Sequence, residues 1–332
     1  LLIRASELTH RTFVLPLLIF YPTSRCNSRC TSCDWWKATG EDDLTLGEIR
    51  ELSRSLPGLG TRTVAFSGGE PLLRPDFFDV ADLFALESMK LELLTSGVLL
   101  QRHAKEVARR FTRVTVSLDA TERDRYRRVR GIDALSTVEA GIASLRGEAP
   151  TLGITARATL HKENFRELSA LVRKARELGL QGISFLAADV SSTAFGRREA
   201  PSLEAILLEG DEIEELRAVI EEAIASEREA FESGFVAERP EKLRRIPEYY
   251  AALRGEAPFP PVACNAPWVS AVVEANGAVR PCFFHEPVGN VRERPLAELL
   301  RRELPDFRRA LDVATNSLCE RCVCSIRMRR AS

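Results

Sequence analysis

The chain has 332 residues, 45 % hydrophobic and 29 % charged, with 47 Lys and Arg against 48 Asp and Glu. That length and balance predict an ordinary soluble core, organised as one large domain plus a smaller one. A formal net charge of −1 gives no electrostatic case for nucleic acid or an anionic membrane, and no apolar run reaches the ~18 residues of a spanning helix.

The eight cysteines fall in two groups, three at 26–33 and five at 264–324, with none in the 230 residues between. A disulfide framework would not spare the whole middle of such a chain, so the clustering predicts metal ligation in a reducing cytoplasm. Residue 1 is Leu, not Met, and the natural N-terminus is expected a few residues upstream.

In chain order, the apolar run Phe13 to Phe20 reads as a buried strand. The loop after it carries Cys26, Cys30 and Cys33, spaced Cys-x3-Cys-x2-Cys. Three thiolates this close cannot all pair as disulfides, but they can grip three corners of a cubane iron–sulfur cluster. The fourth iron is then open to another molecule. A zinc site is the competing reading, though zinc usually takes four Cys or His ligands, and His10 is sixteen residues upstream.

A helix begins at 42–45, with Thr45 and Glu48 as a capping box, and ends at Pro57-Gly58. Thr63 to Phe66 is the second strand and leads into Gly68-Gly69-Glu70-Pro71. After a helix at 76–88, the third strand, Lys90 to Leu94, ends in Thr95-Ser96-Gly97. A helix to Arg110 precedes the fourth strand, Arg113 to Leu118, which carries Ser117 and closes at Asp119. A helix from Ile132 to Leu145 precedes the fifth strand, Leu152 to Leu160, which includes Arg157. Asn164 and Glu167 are expected to cap the next helix, and the sixth strand is Gly182 to Ala187.

Six strand–helix repeats with apolar strands predict a parallel α/β sheet wrapped by right-handed connections. That is a partial (β/α)6 barrel, short of the eight units that close a full one, with a lateral gap. Its ligand-binding groups should collect at the carboxyl ends of the strands. Beyond it, Asp211 to Glu232 reads as one long amphipathic helix that Asp211 and Glu214 cap, and 236–262 reads as a charged, proline-rich linker. The expected divisions are 1–190 for the barrel, 191–261 for a helical segment and linker, and 262–332 for a C-terminal module.

In that module, Ala275-Asn276-Gly277 between two short apolar runs signals a hairpin that brings Cys264 and Cys282 together. A helix over Leu296 to Leu311, broken at Pro305, would return Cys319 and Cys322 to them. Chemistry alone leaves zinc and a four-iron cluster equally open for these four.

The cysteine triad, followed one strand later by Gly68-Gly69-Glu70-Pro71, resembles the signature of the radical S-adenosylmethionine (SAM) superfamily. The resemblance implies that Cys26, Cys30 and Cys33 hold a [4Fe-4S] cluster whose open iron binds SAM. Reductive cleavage would give a 5′-deoxyadenosyl radical that abstracts hydrogen from substrate. It further implies SAM contacts at Gly68, Gly69, Glu70, Ser96 and Ser117, and at Arg130, preferred over Arg127, on the SAM carboxylate. Arg157 would meet a ligand carboxylate or a buried structural partner. The family usually has an aromatic residue before the third cysteine; here it is Ser32, with Trp35 or Trp36 offered for the same surface.

Cys264-x12-Gly277-x4-Cys282 is similar to the opening of the SPASM/twitch extension of these enzymes. The short tail to Ser332 points to the twitch form, with one auxiliary [4Fe-4S] cluster on Cys264, Cys282, Cys319 and Cys322. Cys324 is left as an inert thiol, as the ligand in place of Cys322, or as a hydrogen-atom donor.

The expected function is hydrogen abstraction from a small molecule leading to oxidation, epimerisation or rearrangement, because only about 25 residues precede the triad, too few for a peptide-recognition domain. Modification of a ribosomal peptide is the alternative. A non-catalytic iron–sulfur electron carrier explains the cysteines but not the polar groups at successive strand ends. The expected electron donor is a flavodoxin or ferredoxin, and the expected compartment is the cytoplasm.

Overall fold

The apolar strands lie side by side in one sheet. A computed structural model describes residues 1–197 and 206–328, so parts of the 191–261 segment and of the 262–332 module lie outside the described residues. A short helix α1 (Leu2–Thr9) precedes β1 (Leu17–Phe20). There follow α2 (Leu46–Ser55), β2 (Thr63–Phe66), α3 (Phe77–Leu86), β3 (Lys90–Thr95) and α4 (Leu100–Arg110). Next come β4 (Arg113–Ser117), α5 (Arg123–Arg130), α6 (Leu135–Glu148), β5 (Gly153–Leu160), α7 (Leu168–Glu177) and β6 (Ile183–Ala187). These six strands run parallel in the order 6-5-4-3-2-1 and do not close on each other, so the sheet is a partial barrel.

Leu18, Phe20, Val64, Phe66, Leu91, Leu93, Val114 and Val116 are almost completely buried. Helices cover the outer face of the sheet, as a parallel sheet requires. Phe66 stands at the middle of an aromatic group, within 5.4–6.1 Å of the rings of Phe20, Phe77, Phe84 and Phe111.

Local signals hold at some helix ends and fail at others. Thr45 and Glu48 form the predicted capping box on α2. Asn164 and Glu167 do not cap α7: a 3-10 turn at Phe165–Glu167 intervenes. Asn164 instead donates to the carbonyls of Asp119 and Thr159, and Glu167 accepts from Thr121. Both side chains tie strand ends together, which outweighs a cap. The long helix predicted for 211–232 is two, α8 (Gly210–Ser226) and α9 (Arg228–Glu232), and its capping box is Glu209 with Glu212. The 236–262 segment contains α10 (Pro240–Leu243) and α11 (Arg245–Leu253). Tyr250 of α11 is fully buried and bridges the Leu160 carbonyl, at 2.5 Å, and the Ala188 amide, at 3.0 Å.

After α12 (Ala266–Val269), β7 (Ser270–Val273) and β8 (Ala278–Arg280) form the predicted hairpin, with Gly277 at φ +87° in its turn. β7 also pairs in parallel with β1, residue for residue from Leu17↔Ser270 to Phe20↔Val273. With β9 (Gly289–Asn290) the sheet therefore has nine strands, and β1 is a central strand. Helix α13 (Leu296–Ala310) runs through Pro305 without a break. Its buried Leu296, Leu299, Leu300 and Leu304 supply more than the single hydrogen bond that proline removes. Short helix α14 (Ser317–Glu320) carries Cys319. No helix among the described residues is long and apolar enough to cross a membrane.

Candidate active site

The carboxyl ends of β1 to β6 open on one cavity of about 230 Å³. Cys26, Cys30 and Cys33 line one part of it, together with Gly68, Gly69, Glu70, Ser96, Ser117, Arg130 and Arg157. The structure thus brings together every residue expected around the first cysteine group. Phe283, Phe284, Val323 and Cys324, from the C-terminal region, also line it.

The cysteine loop is held by backbone from three directions. The amides of Arg29 and Thr31 donate to the carbonyls of Arg130 and Val129 on α5. The Gly69 and Glu70 amides donate to the Thr23 and Arg25 carbonyls, and the Asp34 amide donates to the Phe195 carbonyl. The glycine pair is required by this contact: a Cβ on Gly69 would stand 2.1 Å from the Arg25 carbonyl oxygen, and Gly68 has φ +98° against Tyr21. The third direction is fixed by a buried ion pair, Asp189 with Arg197 at 2.8 Å, both side chains 1 % exposed. Arg197 also donates to the Ser32 carbonyl, next to Cys33.

Glu70 is buried and its carboxylate accepts three hydrogen bonds from the protein. It accepts from the Ser96 amide at 2.7 Å, from Thr95 Oγ1 at 2.8 Å and from the Leu72 amide at 3.2 Å. It therefore pins the end of β2 to the end of β3. Ser96 Oγ donates to Asn27 Oδ1 at 3.2 Å, while the Ser117 hydroxyl has no hydrogen bond among the described residues. Arg130 Nη1 donates to Asp119 Oδ2 at 3.1 Å, and its Nε is buried without an acceptor among the described residues. Arg157 Nε donates to Ser184 Oγ at 3.1 Å, and Arg157 has no carboxylate within ion-pair distance among the described residues.

Burial pushes the Cys26 thiol up to about 11 and the Cys33 thiol up to about 12, and raises Cys30 as well. Buried thiols stay neutral unless a cation takes the proton's place. In the C-terminal region Cys264, Cys282, Cys319, Cys322 and Cys324 all line a second pocket. Burial raises Cys282, takes Cys319 to about 12 and raises Cys322 and Cys324 too. His285 Nε2 stands 3.3 Å from Cys319 Sγ. Cys324 borders both pockets.

No three His, Cys, Asp or Glu side chains among the described residues are placed to hold a single metal ion. Tetrahedral zinc, with Zn–S of about 2.3 Å, needs thiolates within about 3.8 Å of each other, whereas a four-iron cluster seats each thiolate on a separate iron. Two sets of buried thiols, an orphaned Arg130 Nε and a free Ser117 hydroxyl fit such clusters and a polar ligand beside the first.

Neither tryptophan lines the cavity. Trp35 packs edge-on against Tyr21 at 5.6 Å, and Trp36 lies 38 % exposed beside Arg29 and Lys37. Phe195 supplies an aromatic wall there instead. Sequence reading missed Phe195, Asp189 and Arg197. Asp189 lies just past the sixth strand, where the strand-end rule would have found it; the other two carry no sequence signal.

Two family models match. The radical SAM superfamily model covers residues 20–185, and the SPASM model, an iron–sulfur cluster-binding domain, covers 264–323. The chain is 26 % identical over 315 residues to Fe-coproporphyrin III synthase of Methanosarcina barkeri, spanning 86 % of this chain and 73 % of that protein. It is 34 % identical over 134 residues to GTP 3′,8-cyclase of Stenotrophomonas maltophilia, but this covers 39 % of the chain and 41 % of the cyclase. Among solved structures, Streptococcus suis SuiB bound to precursor peptide SuiA matches with TM-score 0.67 and 14 % identity, over 96 % of this chain and 73 % of that one. Native anSMEcpe with bound AdoMet and Cp18Cys peptide matches with TM-score 0.62 and 18 % identity, over 92 % and 88 %. At those identities the likeness is one of fold.

Proposed function

The chain belongs to the radical SAM superfamily, and from that premise we propose that it abstracts hydrogen from a small molecule held between its two cysteine groups. It is an enzyme with a SAM-binding [4Fe-4S] cluster and an auxiliary iron–sulfur cluster. The observation that carries the substrate reading is the cavity itself, which the first cysteine group and Cys324 both line. When bound, the first cluster and SAM supply reductive cleavage and the hydrogen abstraction that follows.

The protein's own residues hold and shield. Cys26, Cys30 and Cys33 take the first cluster. The Ser117 hydroxyl and the Nε of Arg130 would hold SAM, with Asp119 orienting Arg130. Gly68 and Gly69 let backbone approach it, and Glu70 acts by fixing Ser96 rather than by touching SAM alone. Arg157 takes a carboxylate of SAM or substrate. Phe195, Phe283 and Phe284 keep water out. Cys264, Cys282, Cys319 and Cys322 would take the auxiliary cluster, and Cys324 lines the same cavity as the first cysteine group.

The relatives that align by sequence are named for a porphyrin and for GTP, which supports a small molecule over a peptide. A flavodoxin or ferredoxin is the proposed source of electrons. The test is anaerobic reconstitution with iron and sulfide, then SAM and dithionite, with 5′-deoxyadenosine and bound iron measured. About eight iron atoms per chain and 5′-deoxyadenosine are expected; a fully loaded protein that makes none overturns the reading. Deuterated porphyrins and deuterated peptides then separate the substrate classes by which of them passes deuterium to 5′-deoxyadenosine.

A further inference from the structure

Helix α13 has two functional faces. Inward, the Phe307 ring lies 4.9 Å from His285, whose Nε2 is 3.3 Å from Cys319 Sγ. Outward, Arg301, Arg302 and Arg309 join Arg11 and Phe13 around an open pocket of about 410 Å³, lined by no acidic residue among the described residues. Arg11 and Arg301 have no ion-pair partner among the described residues. Arg302 and Arg309 pair only with Glu298 and Asp306 of their own helix, in exposed contacts that hold little charge back from a partner.

A further cation lies under this face. Arg308 is fully buried, and among the described residues its guanidinium meets only neutral groups: the Pro267 and His10 carbonyls and Thr12 Oγ1, at 2.7, 3.1 and 2.8 Å. Its Nη2 has no partner among the described residues. Burial lowers its pKa to about 10, so it stays charged at neutral pH. Thr12 lines the arginine pocket, which therefore sits directly over an uncompensated buried charge.

Phe13 is 48 % exposed in the same pocket. An exposed aromatic ring among arginines is the composition of a protein interface, and a face of one charge sign selects a partner of the other. We propose that this face of α13 docks an acidic one-electron carrier protein. The position argues for a redox partner, since Phe307 of the helix lies against His285, which reaches Cys319. One electron leaves the reduced carrier, which is oxidised by one; the auxiliary site would take it up and pass it on to the site of the first cysteine group, where 5′-deoxyadenosine formation reads it, and no bond or proton need move in the transfer. The proposal rests on the reading of Cys319 as an auxiliary-cluster ligand.

The test uses the reconstituted full chain with flavodoxin as the probe. Binding of oxidised flavodoxin is measured by thermophoresis at several salt concentrations. The production of 5′-deoxyadenosine is driven in parallel by reduced flavodoxin and by dithionite. Arg11→Glu with Arg301→Glu should weaken binding at least ten-fold and flatten its salt dependence. The flavodoxin-driven rate should fall with it while the dithionite-driven rate holds. Phe13→Ala should weaken binding and leave the salt slope alone. Flavodoxin binding that is unchanged in both variants overturns the proposal, as does a wild-type chain that binds inorganic phosphate there but not flavodoxin. A wild-type chain inactive with dithionite would sink the functional reading instead, and the binding measurement would still decide the docking face.

Discussion

The two cysteine groups reach similar ends by opposite routes. The first is local: three thiols on one loop, at the end of one strand, within eight residues. The second is assembled from three stretches, Cys264, Cys282 and 319–324, which meet only because β7 and β8 form a hairpin and α13 returns the chain. The local group still depends on distant support, because its loop is gripped by α5, by the glycine turn after β2 and by the Asp189–Arg197 pair. A spacing in sequence specifies ligands; it does not specify what keeps them in place.

The sharpest way to separate the groups is to delete one ligand from each. Cys26→Ala, Cys30→Ala or Cys33→Ala should abolish 5′-deoxyadenosine formation and remove about four iron atoms per chain, by iron assay. Cys264→Ala or Cys282→Ala should also cost about four iron atoms yet leave the dithionite-driven rate within about ten-fold. Equal loss of the rate from both groups would erase the distinction. Cys322→Ala and Cys324→Ala sharpen the second group: the auxiliary iron should be lost in the first variant and kept in the second.

The support is tested by Arg197→Leu, which leaves Asp189 buried without its partner. Removing one member of a buried pair typically costs about 3 kcal/mol, to be read from denaturant unfolding. First-cluster iron should fall in the same variant while auxiliary iron does not.

The smallest effect concerns the joint between the regions. Arg292, from the segment after β9, meets Glu48 at 2.6 Å at the start of α2. The Arg292 hydrogen bond, then the Thr45 amide, lowers Glu48 from 4.5 to about 2. A lowered carboxylate pKa adds stability above pH 4.5 that disappears as pH falls towards 2. Glu48→Gln should remove that part of the acid-range slope, about 0.5 kcal/mol once solvent screening is allowed for, by thermal melts across pH.

Much of this was legible in advance, for identifiable reasons. The six parallel strands show as apolar runs because both faces are buried, and β2 falls at Thr63–Phe66 as read. The turn at Gly277 and the capping box at Thr45 are local chemistry, and they hold. What failed was non-local. Asn164 and Glu167 look like caps, but their side chains are recruited by strand ends from Asp119 to Thr159. Pro305 looks like a break, but α13 buries too much leucine to stop there. The aromatic wall comes from Phe195, which no spacing rule connects to Ser32.

Pairing β1 with β2 on one side and β7 on the other has a mechanical result. Adjacent strands sit about 4.8 Å apart, a distance set by backbone hydrogen bonds. The loop bearing the cysteine triad leaves β1, and the hairpin leading to Cys282 begins with β7, its immediate neighbour. The width of the reaction chamber is thus gauged by a rigid ruler rather than a hinge. Swinging the C-terminal region aside would break the pairing of β1 with β7 inside the sheet, so the separation of the two cysteine-bearing loops is set by backbone hydrogen bonds.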